Sequence, residues 1–314
     1  MERRGLAHEL FAPYEQVLGR GEDLLLSVPW CAGLVASVGF GAQIKHVALL
    51  DKCRGIDATF AEEELRAFMD RFERYEAHDA DYLRAFSACL SVLFSVTPSH
   101  LGDAVSMLFE AINSTQKEYL AVLANTQSMM ESNKTQGGFE KSKSFDDYIA
   151  YISRMASVAL EHNNHVHRPG INICTFSLAV SLLPCYQLYA YIGKHIRDLL
   201  IQLSGTTTTT TTRIESKPCK TWVEIYSGKE FQANNQRYEH LVNELGRHLV
   251  QDQGLKESEM LVMARGIFAR AMAYEFSIFS DFAVHGAPAK ELDLANISTR
   301  MVVANKATYP KVLI

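Results

Sequence analysis

Three side chains in this sequence combine chemical reactivity with apolar surroundings: Cys185, Asp79 and Glu275. A thiol becomes a nucleophile only when a neighbouring group accepts its proton, and the resulting adduct needs a proton donor to go further. Carboxyl groups in apolar surroundings have raised pKa values, which suits them to both tasks. Leu65, Phe72, Asp79 and Phe86 recur every seven residues, so Asp79 shares the buried face of a helix. Phe268, Met272, Glu275, Phe279 and Phe282 form a second stripe, at spacings of four and three. Leu178, Leu182, Cys185, Tyr189, Ile192 and Ile196 form a third, beside Pro184. A carboxylate on such a face has to be paired, protonated or used. Tyr82, Tyr151, Tyr189 and Tyr226 offer flat walls and hydroxyl handles for a heterocycle. Taken singly, each has a blander reading. A buried cysteine is a small hydrophobe, a buried carboxylate is as readily half of an ion pair, and a tyrosine is core. The combination is what points to chemistry.

The elements that must carry these residues read as helices. The eight prolines are separated by long segments with helical periodicity, and strand-like alternation is scarce. Residues 61–95 read as one helix, with Leu65, Phe68, Phe72, Tyr75, Tyr82 and Phe86 as its stripe. Thr97-Pro98 is a cap and first-turn signal for a second helix, through about residue 130. Residues 132–143 form a polar loop. Ser144 and Asp147 resemble a capping box opening a helix with Tyr148, Tyr151, Ile152, Met155 and Ala159 on its buried face. After a histidine-rich turn at 162–170, residues 172–203 are apolar on almost every face and predict a central helix kinked at Pro184. Seven threonines at 206–212 belong to a low-complexity linker, and helices are expected at 219–250 and 257–284.

Composition narrows the function classes. The 314 residues are 47% hydrophobic and 21% charged, enough for a large core without disulfides or structural metal. A net charge of −5 speaks against a nucleic-acid-binding surface. The six cysteines include no CxxC pair and read as free thiols of a reducing compartment. The N-terminus lacks a secretory pattern, so a cytoplasmic location is expected. Residues 24–41 approach the length of a membrane span, but Pro29 and small polar or glycine breaks interrupt them. Buried core is expected there, and no membrane partner.

With the apolar stripes in view, several segments resemble the TenA/thiaminase II family. Leu183-Pro184-Cys185-Tyr186-Gln187-Leu188-Tyr189 with Gly193 is similar to that family's LPCYxLY…G segment. In order along the chain, Phe72…Tyr75…Asp79…Tyr82-Leu83…Phe86, Tyr151…Met155, Trp222…Tyr226…Phe231 and Tyr274-Glu275-Phe276 resemble its other motifs, over residues 60–285. There are departures. His78 stands where glutamine is common, Asp81 where an aromatic is common, and Ser227-Gly228-Lys229 where Gly-Gly-Asp is usual; Gln116 falls near a frequent histidine.

The resemblance implies an all-α, haem-oxygenase-like helical bundle that forms a homotetramer or dimer and needs no metal or cofactor. It implies hydrolysis of thiamin, or of pyrimidines from damaged thiamin, to hydroxymethylpyrimidine for salvage. Cys185 would be the nucleophile toward the pyrimidine ring, and Glu275 would bind a ring nitrogen and shuttle the proton. Asp79 would hold the ring nitrogen and exocyclic amine, with Tyr82, Tyr151, Tyr226 and Tyr189 around the pyrimidine. The domain plan is an N-terminal extension at 1–60 packing on the bundle, a TenA-like domain at 61–285 with a threonine-rich linker at 205–218, and a tail at 286–314.

Two alternatives belong to other classes. His240, Glu244 and His248 share a helix face at metal-ligand spacing, as in a metal-dependent helical oxidase, although neighbouring charges suggest a solvated face. His162, His165 and His167 invite the same thought. The other alternative is a non-catalytic pyrimidine-binding or regulatory protein.

Overall fold

A computed structural model describes residues 5–20, 58–133, 142–165, 171–204 and 217–282, together with Leu24, Trp30, Cys31, Leu34 and Val35. Residues 134–141 of the polar loop, residues 166–170 of the histidine-rich turn, the threonine run and the tail beyond 282 lie outside these residues, as does most of 24–41. Among the described residues there are eight helices of more than one turn and no strand, so the chain is all-α. We number them α1 (Leu6–Leu18), α2 (Ala58–Val96), α3 (Gly102–Asn133), α4 (Lys143–His165), α5 (Ile173–Ser204), α6 (Lys217–Ser227), α7 (Lys229–Gln253) and α8 (Glu257–Asp281).

Helix α5 is the axis of the bundle. It contacts α1, α2, α4, α6, α7 and α8, and every residue from Cys174 to Gly193 is buried. This follows from a segment apolar on all faces, which has no side to offer water. By length and hydropathy it could cross a membrane, but 94% of its most apolar stretch is buried by the other helices. Pro184 lies within α5, and the helix continues across it. Around this axis, α2 packs along α3 and α4. Helix α1 lies on α7, α8 and α5, and the Ala7 N–H donates to Asn243 Oδ1 at 2.9 Å.

Trp30 is wholly buried. Its ring meets Phe72 at 5.9 Å, Tyr75 at 5.2 Å, Trp222 at 5.0 Å and Phe279 at 4.9 Å. Leu24, Cys31, Leu34 and Val35 are buried with it. The described residues among the first 35 therefore contribute to the same core as the rest of the described chain.

Several helix ends differ from the sequence expectations. Thr97 closes α2 instead of opening α3: its Oγ1 donates to the Leu93 carbonyl at 2.7 Å. Pro98 begins a turn, with the Leu101 N–H donating to the Pro98 carbonyl at 3.0 Å, and α3 starts at Gly102. A threonine hydroxyl can bond either way, and here the preceding turn wins it. The cap of α4 is Ser142, whose Oγ accepts from the Phe145 N–H at 3.5 Å. Ser144 instead pairs its hydroxyl with Ser277 on α8, at 2.9 Å. The expected helix 219–250 is two helices, because Gly228 is extended (ψ 149°) and breaks the run between α6 and α7. Gly254, at φ 64°, ends α7 in the left-handed conformation that glycine adopts without strain.

Candidate active site

Asp79 comes from the middle of α2, Cys185 from the middle of α5 and Glu275 from the last third of α8. All three are buried: Asp79 is 1% exposed, Cys185 6% and Glu275 0%. They share one electrostatic environment. Burial pushes the Cys185 thiol well above its ordinary pKa, and the negative charges of Glu275, Glu118 and Asp79 push it further, against the opposing influence of the Tyr82 hydroxyl. Asp79 is likewise raised, by burial first and then by Glu76, Glu118 and Glu275. The structure thus brings the three sequence candidates into one region and adds two carboxyls, Glu76 and Glu118.

The surroundings raise the pKa values of the acids. Burial lifts Glu275 to about 8, against a lowering influence from Tyr148. It lifts Glu76 to about 7, against a hydrogen bond from Asn125 Nδ2 at 2.9 Å. Glu118 also rises to about 7, opposed by Tyr226. Glu118 is only half-buried as a residue. Its acid is raised by burial all the same. No cation is among the groups that shift Glu76, Glu118 or Glu275. Desolvation is the largest cause of the rise in each of them.

Tyrosines surround these groups. Tyr82 and Tyr148 stack at 5.0 Å with planes 25° apart; Tyr82 opposes the rise of the Cys185 thiol, and Tyr148 that of Glu275. Tyr226 donates its hydroxyl to Asp79 Oδ2 at 3.4 Å. Tyr189 meets Tyr226 edge-on at 4.9 Å and accepts a 2.8 Å hydrogen bond from the Tyr75 hydroxyl. Tyr151 sits further out. It is half-buried, its hydroxyl donates to the Ile267 carbonyl at 3.4 Å, and its ring lies 6.5 Å from Tyr148 and 5.3 Å from Tyr274.

Four polar atoms in this region lack an ordinary hydrogen bond. Both Glu275 oxygens and the Tyr82 and Tyr148 hydroxyls are buried with no partner of normal hydrogen-bond geometry among the described residues. A buried polar group left unpaired costs about 1–3 kcal/mol. Several such groups at one thiol are what a site looks like when its partners arrive with a ligand. Such an arrangement can donate protons, accept them, and offer sulfur to an electrophile.

Of the departures from the family pattern, Ser227 directly follows Tyr226 and is buried, whereas His78, Asp81 and Gln116 are not among the groups that shift Cys185, Asp79 or Glu275. His78 is half-buried and stacks on Phe145 at 5.6 Å. Asp81 is exposed and pairs with Arg84 at 2.9 Å. Gln116 is exposed. The metal-like trio on α7 is engaged otherwise: Glu244 pairs with Arg247, and Arg247 meets His248 at 3.0 Å. His162 bonds the Val158 carbonyl at 3.1 Å. The His165 side chain and His167 lie outside the described residues. Among the described residues no group of three His, Cys, Asp or Glu is arranged to hold a metal ion.

Sequence reasoning passed over Glu76, Glu118 and the hydroxyl of Tyr148. Glu76 stands three residues before Asp79 and four after Phe72, a spacing that puts it on the same face. Thr115, Glu118, Val122 and Asn125 likewise share one face of α3. Both signals were present as spacings, without an apolar stripe dense enough to expose them.

No protein-family model matches this chain, and no curated protein sequence matches it.

Proposed function

We propose that the region around Cys185 is the active site of a cysteine-dependent aminopyrimidine hydrolase similar to the TenA/thiaminase II family. Its substrates would be thiamin or pyrimidines derived from it. The observation that carries this reading is the set of unpaired buried groups, Glu275 and the hydroxyls of Tyr82 and Tyr148, next to a buried thiol. A flat heterocycle rich in ring nitrogens and amino groups matches both the aromatic walls and the missing hydrogen-bond partners.

The chemistry follows from the protonation states. With its pKa at about 8, Glu275 is mostly protonated near neutrality and can donate to a ring nitrogen. Having done so it is a carboxylate, and a more basic one than usual, beside Sγ. It takes the thiol proton as the sulfur–carbon bond forms and the ring π electrons settle on the protonated nitrogen. The amine then leaves with its bonding pair and a proton from Glu275. Water adds to the exposed methylene carbon and returns a proton to Glu275. The sulfur then leaves with its bonding pair and takes the proton of Glu275, and the ring nitrogen returns its own proton to Glu275, which restores the aromatic ring, the thiol and the acid. Asp79 would hold the exocyclic amine, and burial of the thiol keeps it unreactive until a substrate is bound.

The test is direct. The protein is incubated with thiamin and, separately, with aminomethylpyrimidine, and hydroxymethylpyrimidine is measured. Release that is abolished in Cys185→Ser and in Glu275→Gln supports the reading. Binding of either compound without turnover would favour a non-catalytic pyrimidine-binding protein, and neither binding nor turnover would overturn the assignment.

A further inference from the structure

Along α5, Gln187, Ala190, Tyr191, Lys194, His195 and Asp198 follow one another at spacings of three and one, so they share one face of the helix. Cys185, two residues before Gln187, lies on a different face. Helices α1 and α7 pack beside the Gln187 face, and between the three runs a cleft of about 380 Å³, the size of a small-molecule site. None of the residues lining it is among the groups that shift Cys185, Asp79 or Glu275. It is a separate place in the fold.

Part of this cleft is short of hydrogen-bond donors. Gln187 is 3% exposed, and its Nε2 donates to the Ala7 carbonyl at 3.1 Å and to Glu239 Oε1 at 2.8 Å. Those two acceptors fix which end of the amide is nitrogen. Gln187 Oε1 is then buried with no partner among the described residues. Asn235, one turn before Glu239 on α7, repeats the pattern. Its Nδ2 donates to the same Glu239 oxygen at 3.2 Å, and its Oδ1 is buried without a partner among the described residues. Both amides therefore gather around one carboxylate oxygen. Asn235 is half-buried and its only side-chain bond is that long one, so its amide can turn toward a ligand. His195 adds a further acceptor. Its Nδ1 lies 2.8 Å from the Tyr191 carbonyl and carries its proton there, which leaves Nε2 of the neutral ring open.

The charges around the cleft select among ligands. Three carboxylates line it, Glu15, Asp198 and Glu239, against two cations, Arg20 and Lys194. Both cations are exposed, and Glu239 forms no ion pair with any described residue. An anion would meet acceptors it cannot bond. A bare metal ion would find one carboxylate in too large a space, and among the described residues no group of three His, Cys, Asp or Glu is arranged to hold one.

We propose that this cleft is a second ligand site, which binds a small organic amine with its ammonium group donating to Gln187 Oε1, Asn235 Oδ1 and the Glu239 carboxylate. An ammonium has three N–H donors, one for each acceptor. Filling the two orphaned oxygens recovers the free energy that their burial costs the empty protein. Phe11, Ala190, Tyr191 and Leu199, all buried, supply apolar surface for the carbon chain. The site does not rest on the reading given for Cys185.

The experiment is a titration of the full chain with butylamine at pH 7, in about 0.15 M potassium chloride to screen non-specific attraction. Side-chain amide signals are followed by nitrogen-15 NMR, with those of Gln187 and Asn235 assigned by their loss in Gln187→Met and Asn235→Ala. Both signals should shift along one saturable curve, and butan-1-ol, which has the chain without the charge, should not move them. Affinity should fall at least tenfold in Glu239→Gln and in Asn235→Ala. If one of these variants loses its helicity, the other decides. Glu275→Gln, in the Cys185 region, should bind butylamine as wild type does. No saturable shift, an equal response to butan-1-ol, or wild-type affinity in both cleft variants overturns the site. So does a loss of affinity in Glu275→Gln with none in Glu239→Gln, which would put the amine beside Cys185. Failure to release hydroxymethylpyrimidine would sink the hydrolase reading and leave this result standing.

Discussion

Gly193 on α5 lies against the backbone of Tyr226 on α6 so closely that a Cβ there would come within 2.6 Å of the Tyr226 carbonyl carbon. It would also lie 2.8 Å from the Ser227 nitrogen, and neither atom is the end of a flexible side chain. The absence of a side chain at position 193 thus sets how near Tyr226 comes to Asp79 and Tyr189. Gly193→Ala should destabilise the protein by about 1–3 kcal/mol through overpacking. It should also reduce ligand binding more than its loss of stability explains. Denaturant midpoints read alongside binding of an aminopyrimidine check this, and wild-type values for both would show that the helices part without consequence.

The unpaired hydroxyls give an opposite pair of effects. Tyr82 and Tyr148 have buried hydroxyls without a normal hydrogen-bond partner among the described residues. Tyr82→Phe or Tyr148→Phe should therefore stabilise the unliganded protein, by about 1 kcal/mol. The same variants should weaken substrate binding, because the hydroxyl is then missing when its partner arrives. Thermal midpoints with and without ligand separate the two effects. A loss of stability in the unliganded form would mean the hydroxyls are already satisfied.

Stability should fall as pH rises. The ordinary pKa of a glutamic acid here is 4.5; in the folded protein Glu76 titrates at about 7 and Glu275 at about 8. A folded-state pKa above the unfolded value means the native state binds more protons between the two. The contribution is fully present below the unfolded pKa and is lost as pH rises through the folded one. The thermal midpoint should decline from about pH 5 to about pH 8. Glu275→Gln should flatten the upper part of that decline and, above it, stabilise the unliganded protein by on the order of a few kcal/mol. A midpoint that climbs through this window would contradict the protonated, unpaired state of these acids.

Trp30 tests how far the N-terminal residues belong to the core. Its ring touches Phe72, Tyr75, Trp222 and Phe279, from three helices. Trp30→Ala should cost about 3–5 kcal/mol. It should also disturb Tyr75, and through it the 2.8 Å hydrogen bond to Tyr189. Urea unfolding measures the first effect. A cost below 1 kcal/mol, of the kind seen at surface positions, would place the ring outside the core.

Much of this protein is legible in its sequence because burial in helices leaves a periodic trace. The all-α class, the central position of α5 and the burial of Asp79, Cys185 and Glu275 all follow from apolar residues recurring at helical spacing. Periodicity says which face of a helix is buried and nothing about which buried faces meet. Only the tertiary structure decided that three helices bring those side chains into one electrostatic neighbourhood, and that Glu76 and Glu118 join them. It also decided the helix ends, since Thr97 and Ser144 carry hydroxyls that bond whichever neighbour packing presents. The unpaired state of Glu275 is the clearest case. Whether a buried carboxyl finds a partner depends on every surrounding element at once, and no local run of residues records it.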